Sequence, residues 1–229
     1  FDPLALTLNE SGNELFVASH RSGQTNQYPY VARDIEDEKD IAIIDTNSLE
    51  VTGFILEASS TINDLVYNAE SQELWMVGTA NDIEGGLNDA DVYSFMHEVV
   101  VLEPKAGVAS RIRSADLTRQ DSSTGDAVTL QNMTVCNGEV WVTAESSDAT
   151  IVLDPTTLEE TARYTTTGRP RSVSCDDGLT VVHGAVTNAL HRIGSGNVAT
   201  VGTNSPDTRE DTIIFGQQVF TMPGETVGS

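Results

Sequence analysis

The chain has 229 residues, 38% of them hydrophobic, and a formal net charge of -23 from 12 Lys and Arg against 35 Asp and Glu. That is enough apolar content for a packed core. It is also too acidic for a nucleic-acid partner, because counterion release at phosphates needs cationic side chains that are scarce here. No apolar run is long enough for a membrane-spanning helix, and no basic segment leading into an apolar stretch opens the sequence.

In chain order, "LALTL" enters through the polar turn "NESGN" into Glu14-Leu15-Phe16-Val17, and after a long polar insertion comes "IAIIDTNSLEVTGFI". The same order returns. "INDLVY" leads through "NAESQ" into Glu73-Leu74-Trp75-Met76-Val77, and a second insertion precedes "EVVVLEPKAGVASRI". A third copy runs from "VTLQNMTV" through "CNG" to Glu139-Val140-Trp141-Val142-Thr143 and "ATIVLDPTTLEETARY". The fourth is weaker: "RSVSC", "CDD", "GLTVV" and "NALHRIGSGNVATVG".

Short apolar runs separated by Gly, Asn and Asp turns predict four antiparallel strands per copy, with Pro155 at a turn where its fixed φ and missing donor do no harm. Spacings of 73 − 14 = 59, 139 − 73 = 66 and, between turn glycines, 178 − 138 = 40 place one copy at blade length and imply insertions in the other two. The expected fold is all-β: a β-propeller of four-stranded antiparallel blades, with four clear repeats at about 1–57, 58–126, 127–166 and 167–229. A β-sandwich is the rival architecture. Four repeats leave the ring incomplete unless further blades come from the same or another chain, or weak strands such as "DTIIFGQQVFTM" contribute.

Gly168, Pro170, Val173, Asp177 and Gly178 in "TGRPRSVSCDDGLTVV", together with "IAIIDTNSLEV" and "TIVLDPTTLEET", make the chain resemble the YVTN-type β-propeller repeats of bacterial and archaeal periplasmic or surface proteins. The family's "YVAN" is "FVAS", "WMVG", "WVTA" and "TVVH" here. The resemblance implies a rigid scaffold in the periplasm or at the cell surface, whose loops between strands two and three share one face with the loops between blades. Some relatives join such propellers to dihaem cytochrome-peroxidase-like domains. No C-x-x-C-H occurs here, so haem is expected only in a domain outside these residues.

Both insertions fall between strands two and three. The first holds Asp34, Glu36, Asp37, Glu38 and Asp40; the second holds Asp82, Glu84, Asn88, Asp89 and Asp91. Carboxylate and amide oxygens on a Gly-containing loop suit Ca²⁺, although the EF-hand spacing is absent, and acidic loops are equally what a solvated surface looks like. His20, His97 and His183 end or follow second strands or the long insertion, and are the candidates for a transition metal held between blades, against the plainer reading of hydrogen-bonded histidines. Cys136 and Cys175 follow entering strands of adjacent copies; a disulfide and two buried thiols are both open readings. No G-x-S-x-G, P-loop or dinucleotide pattern occurs. The expectation is a noncatalytic exported scaffold whose long loops bind a protein partner or cation. The alternatives are a propeller module of a periplasmic haem or redox protein and a lactonase-like hydrolase.

Overall fold

The structure, a computed structural model, describes residues 3–19, 39–59, 61–82, 94–117, 129–176, 178–187, 189–194, 196–202, 212–215 and 218–221. Blade 1 consists of β1 (Pro3–Leu8), β2 (Glu14–Ser19), β3 (Ile41–Asp45) and β4 (Glu50–Leu56). In blade 2, β5 (Thr61–Asn68), β6 (Glu73–Asp82) and β7 (Ser94–Leu102) are followed by a short β8 (Gly107–Val108) and by the fourth strand, β9 (Arg111–Asp116). Blade 3 is β10 (Leu130–Cys136), β11 (Glu139–Ala144), β12 (Ala149–Leu153) and β13 (Glu160–Thr165). Blade 4 is β14 (Pro170–Asp176), β15 (Leu179–Gly184), β16 (Ala189–Gly194) and β17 (Asn197–Gly202), and a separate hairpin joins β18 (Thr212–Phe215) to β19 (Gln218–Thr221). Among the described residues the helical element is a single 3-10 turn at Glu145–Ser147.

Each blade is a meander whose first strand is innermost, and the inner strands stand side by side in the order β1, β5, β10, β14. Every sheet thus has a forward face toward the next blade and a backward face toward the one before. Between blades 1 and 2, Phe16, Ala18, Ile41, Ile43 and Ile55 meet Ile62, Leu65, Leu74, Met76 and Val100. Trp75, Val77, Val99 and Val101 of blade 2 meet Met133, Val140, Val142 and Ile151 of blade 3. The third contact is smaller, with Trp141 and Val152 against Val173, Val182 and Ile193. Strands that bury both faces read as near-continuous apolar runs, and for this reason "IAII", "EVVVL" and "TIVL" lack strict alternation.

Two turn types account for the repeated sequence. Asn137 and Gly138 both have positive φ (53° and 73°) between the paired Cys136 and Glu139, the conformation that a two-residue hairpin of matching twist requires. "DTNSLE" and "DPTTLE" form the same turn: the Oδ1 of Asp45 accepts from the N–H groups of Asn47 and Ser48, and that of Asp154 from Thr156 and Thr157. These donors hold both carboxyls below the usual carboxylate range.

One connection was not legible beforehand. β8, between the third and fourth strands of blade 2, pairs in parallel with β4 at the outer edge of blade 1, matching Ile55 with Gly107 and Leu56 with Val108. Gly53 permits this approach, since a Cβ there would come within 2.6 Å of the Ala106 Cβ. Ala58, between the two blades, is held from both sides. Its N–H donates to Asp40 Oδ2 at 2.6 Å, and its carbonyl accepts from Arg111, which also forms an ion pair with the buried Glu98.

Cys136 of β10 and Cys175 of β14 are joined as a disulfide, with Cα atoms 6.4 Å apart across the least apolar of the three blade contacts. The bridge closes a loop of 39 residues. Opening a loop of that size is expected to cost about 2–4 kcal/mol, so a Cys136→Ser/Cys175→Ser variant should melt roughly 5–10 °C lower. An unchanged melting temperature would show that blades 3 and 4 hold together without the bridge.

Candidate functional site

The long insertions leave their blades at corresponding points, between β2 and β3 and between β6 and β7, where blade 3 has only the 3-10 turn. They therefore start from one rim. Asp82 ends β6, its backbone paired with Ser94, while His20, Glu84, Asn88, Asp89 and Asp91 lie outside the described residues. His97 is buried on β7 and its Nδ1 lies 3.2 Å from the Thr79 hydroxyl. Burial pushes its pKa down, against the opposing charge of Asp116, so it stays neutral near pH 7. His183 sits on β15 opposite Leu190, and blade 3 stands between it and His97. Among the described residues no group of three or more His, Cys, Asp or Glu is placed to hold a metal. The remaining histidine, His191, is a structural bolt: it lies 2.8 Å from the Thr167 carbonyl through Nε2 and 3.2 Å from the Thr200 hydroxyl through Nδ1.

The structure gathers its polar chemistry instead along the inner strands. Asp64 of β5 accepts through Oδ2 from the Met133 N–H at 2.9 Å and from Asn132 Nδ2 at 2.5 Å. Asn132 passes the pattern on, its Oδ1 accepting from the Val173 N–H of β14 at 2.7 Å. Asn63 adds a bond to the Leu130 carbonyl. Asp64 and Asn132 stand at the same position of their inner strands, and each accepts a backbone N–H of the next blade there. Blade 1 has Ala5 at that position and uses Thr7 instead, whose Oγ1 accepts from the Tyr67 N–H.

These residues escaped the sequence reading because the turns differ in length. Asp64 precedes Trp75 by 11 residues (75 − 64) and Asn132 precedes Trp141 by 9 (141 − 132), so an ungapped alignment on the aromatic strand never superposes them.

A second polar cluster lies on the opposite rim, at the junction of blades 2 and 3. Arg113 of β9 grips Glu73 with two bonds of 3.0 and 2.7 Å, donates to the Pro155 carbonyl, and lies over the Trp75 ring at 5.1 Å. Burial alone would raise the Glu73 pKa, but the bonds from Arg113 and Ser71 outweigh it and hold the carboxyl below its usual range. The buried Trp75 Nε1–H also favours the charged form, although it falls outside hydrogen-bond geometry. Asn68, Glu70, Ser71 and Thr156 complete an open cleft of about 300 Å³. Every guanidinium nitrogen of Arg113 is engaged, so the cluster locks two blades and offers no free cation to a ligand.

The Asp64 carboxyl is raised to about 6 because desolvation outweighs the N–H donors of Met133 and Leu65. A folded-state pKa above the unfolded value means that the fold prefers the protonated form. The contribution of this group to stability is therefore present at about pH 4 and declines as pH rises through 6, by roughly 2–3 kcal/mol. Asp64→Asn is expected to match or exceed the parent in melting temperature at pH 7.5 and to lose that advantage at pH 5. A parent that gains on the variant between pH 5 and 7.5 would refute the raised pKa. Arg113→Met, which strands Glu73, should cost about 2–3 kcal/mol at pH 7.5, and Arg113→Lys should recover little of it in the same melts because ammonium lacks the two-pronged geometry.

No protein-family model matches the chain. No curated protein matches it either. Solved structures do. Kuenenia stuttgartiensis hydrazine synthase is similar at 17% identity and a TM-score of 0.58, over 86% of this chain and 58% of that one. A protein of unknown function from Bacteroides caccae is similar at 8% identity and a TM-score of 0.57, over 88% and 61% respectively. This chain thus spans about three-fifths of each. Likeness at these identities establishes the architecture, a propeller-like array of antiparallel blades, and leaves activity to be argued from the residues.

Proposed function

We propose that the chain is a noncatalytic, exported β-propeller scaffold of the YVTN type, whose long loops bind a protein partner or a cation. The observation that carries this reading is the common origin of the two acidic insertions on the rim between second and third strands. Loops held on a rigid frame are where binding residues concentrate. Among the described residues, five carboxylates of the frame are already engaged: Glu73 with Arg113, Glu98 with Arg111, Glu145 with Arg171, Glu160 with Arg163 and Asp64 with Asn132. The disulfide supports a periplasmic or extracellular setting, because thiols stay reduced in most cytosols.

The formal charge of -23 makes a cationic ligand or basic protein patch the favoured class of partner. Oxygen donors at Asp82, Glu84, Asn88, Asp89 and Asp91 suit Ca²⁺, whereas His20, His97 and His183 would have to supply any transition-metal site. Burial of His97 weighs against the latter. A second reading is a propeller module of a larger periplasmic haem or redox protein; the hydrazine synthase chain, of which this chain spans 58%, shares the fold. A lactonase-like hydrolase has no comparable support among the described residues.

Calorimetric titration with Ca²⁺ tests the cation arm. Binding heat that disappears in Asp89→Asn/Asp91→Asn is the expected result. No heat, together with a melting temperature insensitive to chelator, would remove calcium and leave the loops as a protein-docking rim.

A further inference from the structure

The array of blades is open at both ends. Inner strands pack as β1 against β5, β5 against β10 and β10 against β14, but among the described residues β14 makes no comparable contact with β1. The effect shows on the backward face of blade 1. Leu6 pairs with Val17 in the same register as Leu65 with Met76, Met133 with Val142 and Val173 with Val182. Leu65, Met133 and Val173 are 2%, 2% and 6% exposed because a preceding blade covers them; Leu6 is 66% exposed. The turn residue Leu158 is 2% exposed and its counterpart Leu49 is 80% exposed. Leu8 and Val51 lie on the same face and are half exposed, while Val17 and Ala42 in its middle are buried.

We infer that a second copy of this chain covers that face, with blade 4 of one molecule standing against blade 1 of the other, so that two open arrays close into one ring. Exposed apolar side chains mark the same two ends. Of the nine large hydrophobic residues exposed among those described, Leu4, Leu6, Leu8, Leu49 and Val51 belong to blade 1, Val186 and Leu190 to blade 4, and none to blade 3. Leu190 pairs with His183, which pairs with Ser172, and this row lies on the forward face, the one a following blade would meet. The position of the clasp matches too. Ser172 precedes Val173 as Asp64 precedes Leu65 and Asn132 precedes Met133, and it is exposed. Its hydroxyl can accept the Leu6 N–H of a second copy in the way that Asp64 and Asn132 accept those of Met133 and Val173.

The two ends are complementary in charge. Residues 3–56 hold nine Asp and Glu against three Lys and Arg, a net of -6, whereas residues 169–202 hold three Arg against two Asp, a net of +1 in a chain of -23. Blade 4 is therefore the part of the molecule best placed to approach an acidic blade 1 despite the repulsion between whole chains. Arg192 stands exposed on its forward face, between Val181 and Ala199. A two-fold pairing of blade 1 with blade 1 would set two acidic sheets face to face and leave Leu190 and Ser172 uncovered. Two arrays of four blades give a ring of about eight, within the range of closed propellers.

The test is the mass in solution of the full 229-residue chain, which light scattering should place at two copies. Leu6→Asp and Leu190→Asp alter side chains 66% and 44% exposed, and each should raise the dissociation constant by roughly tenfold or more. An equimolar mixture of the two variants should dimerise more strongly than either alone, because one of its two contacts is unaltered. Leu6→Ser and Leu190→Ser replace them if either does not fold. A monomeric parent would overturn the assignment. So would a dimer that Leu190→Asp leaves intact, since blade 1 would then be pairing with itself, and a mass that grows past two copies with concentration would overturn the closure.

Discussion

The structure depends on one constraint: a twisted four-stranded sheet with two apolar faces is stable only when both are covered by its neighbours. Phe16, Trp75 and Trp141 recur because each fills the space in front of its sheet, and Leu65, Met133 and Val173 recur because each closes the space behind. Burial of this kind has no direction of its own. Angular placement comes from the polar bonds between inner strands, where Asp64 and Asn132 accept backbone N–H groups that would otherwise stay unpaired at the irregular stretches of β10 and β14.

The three contacts differ in composition, and the cross-links differ accordingly. The contact between blades 1 and 2 is widely apolar and is supplemented by Arg111 and the β8 pairing. Between blades 2 and 3, Arg113 ties Glu73 to the Pro155 carbonyl. The contact between blades 3 and 4 buries the fewest apolar side chains, and there the chain supplies both a disulfide and the Arg171–Glu145 pair. The smallest apolar contact is thus the one that carries the covalent link. This keeps the array rigid without a uniform core.

Much of this was legible in the sequence. The second and third strands of blades 1 to 3 stand out because they are apolar on both sides, whereas those of blade 4 alternate, and the turns "NG", "DTNSLE" and "DPTTLE" carry their own local chemistry. The clasp formed by Asp64 and Asn132 was hidden by turns of four and two residues that shift the register of comparison. β8 was hidden for another reason: two residues, Gly107 and Val108, form no periodic signal, and their pairing partner lies in a different repeat. On the functional side, the common rim of the two insertions was readable from the order of strands. The roles of His97 and His191 were not, since a buried imidazole bonded to a threonine and an exposed ligand look alike in a single sequence.

The strap formed by β8 also bears on how the molecule assembles as it is made. The outermost edge of blade 1 acquires its last partner only from Gly107 and Val108, some fifty residues after β4 has left the ribosome. Until then that edge offers unpaired amides to any nascent neighbour. The first two repeats therefore mature together, since the outer edge of blade 1 is completed only by the strap that blade 2 supplies.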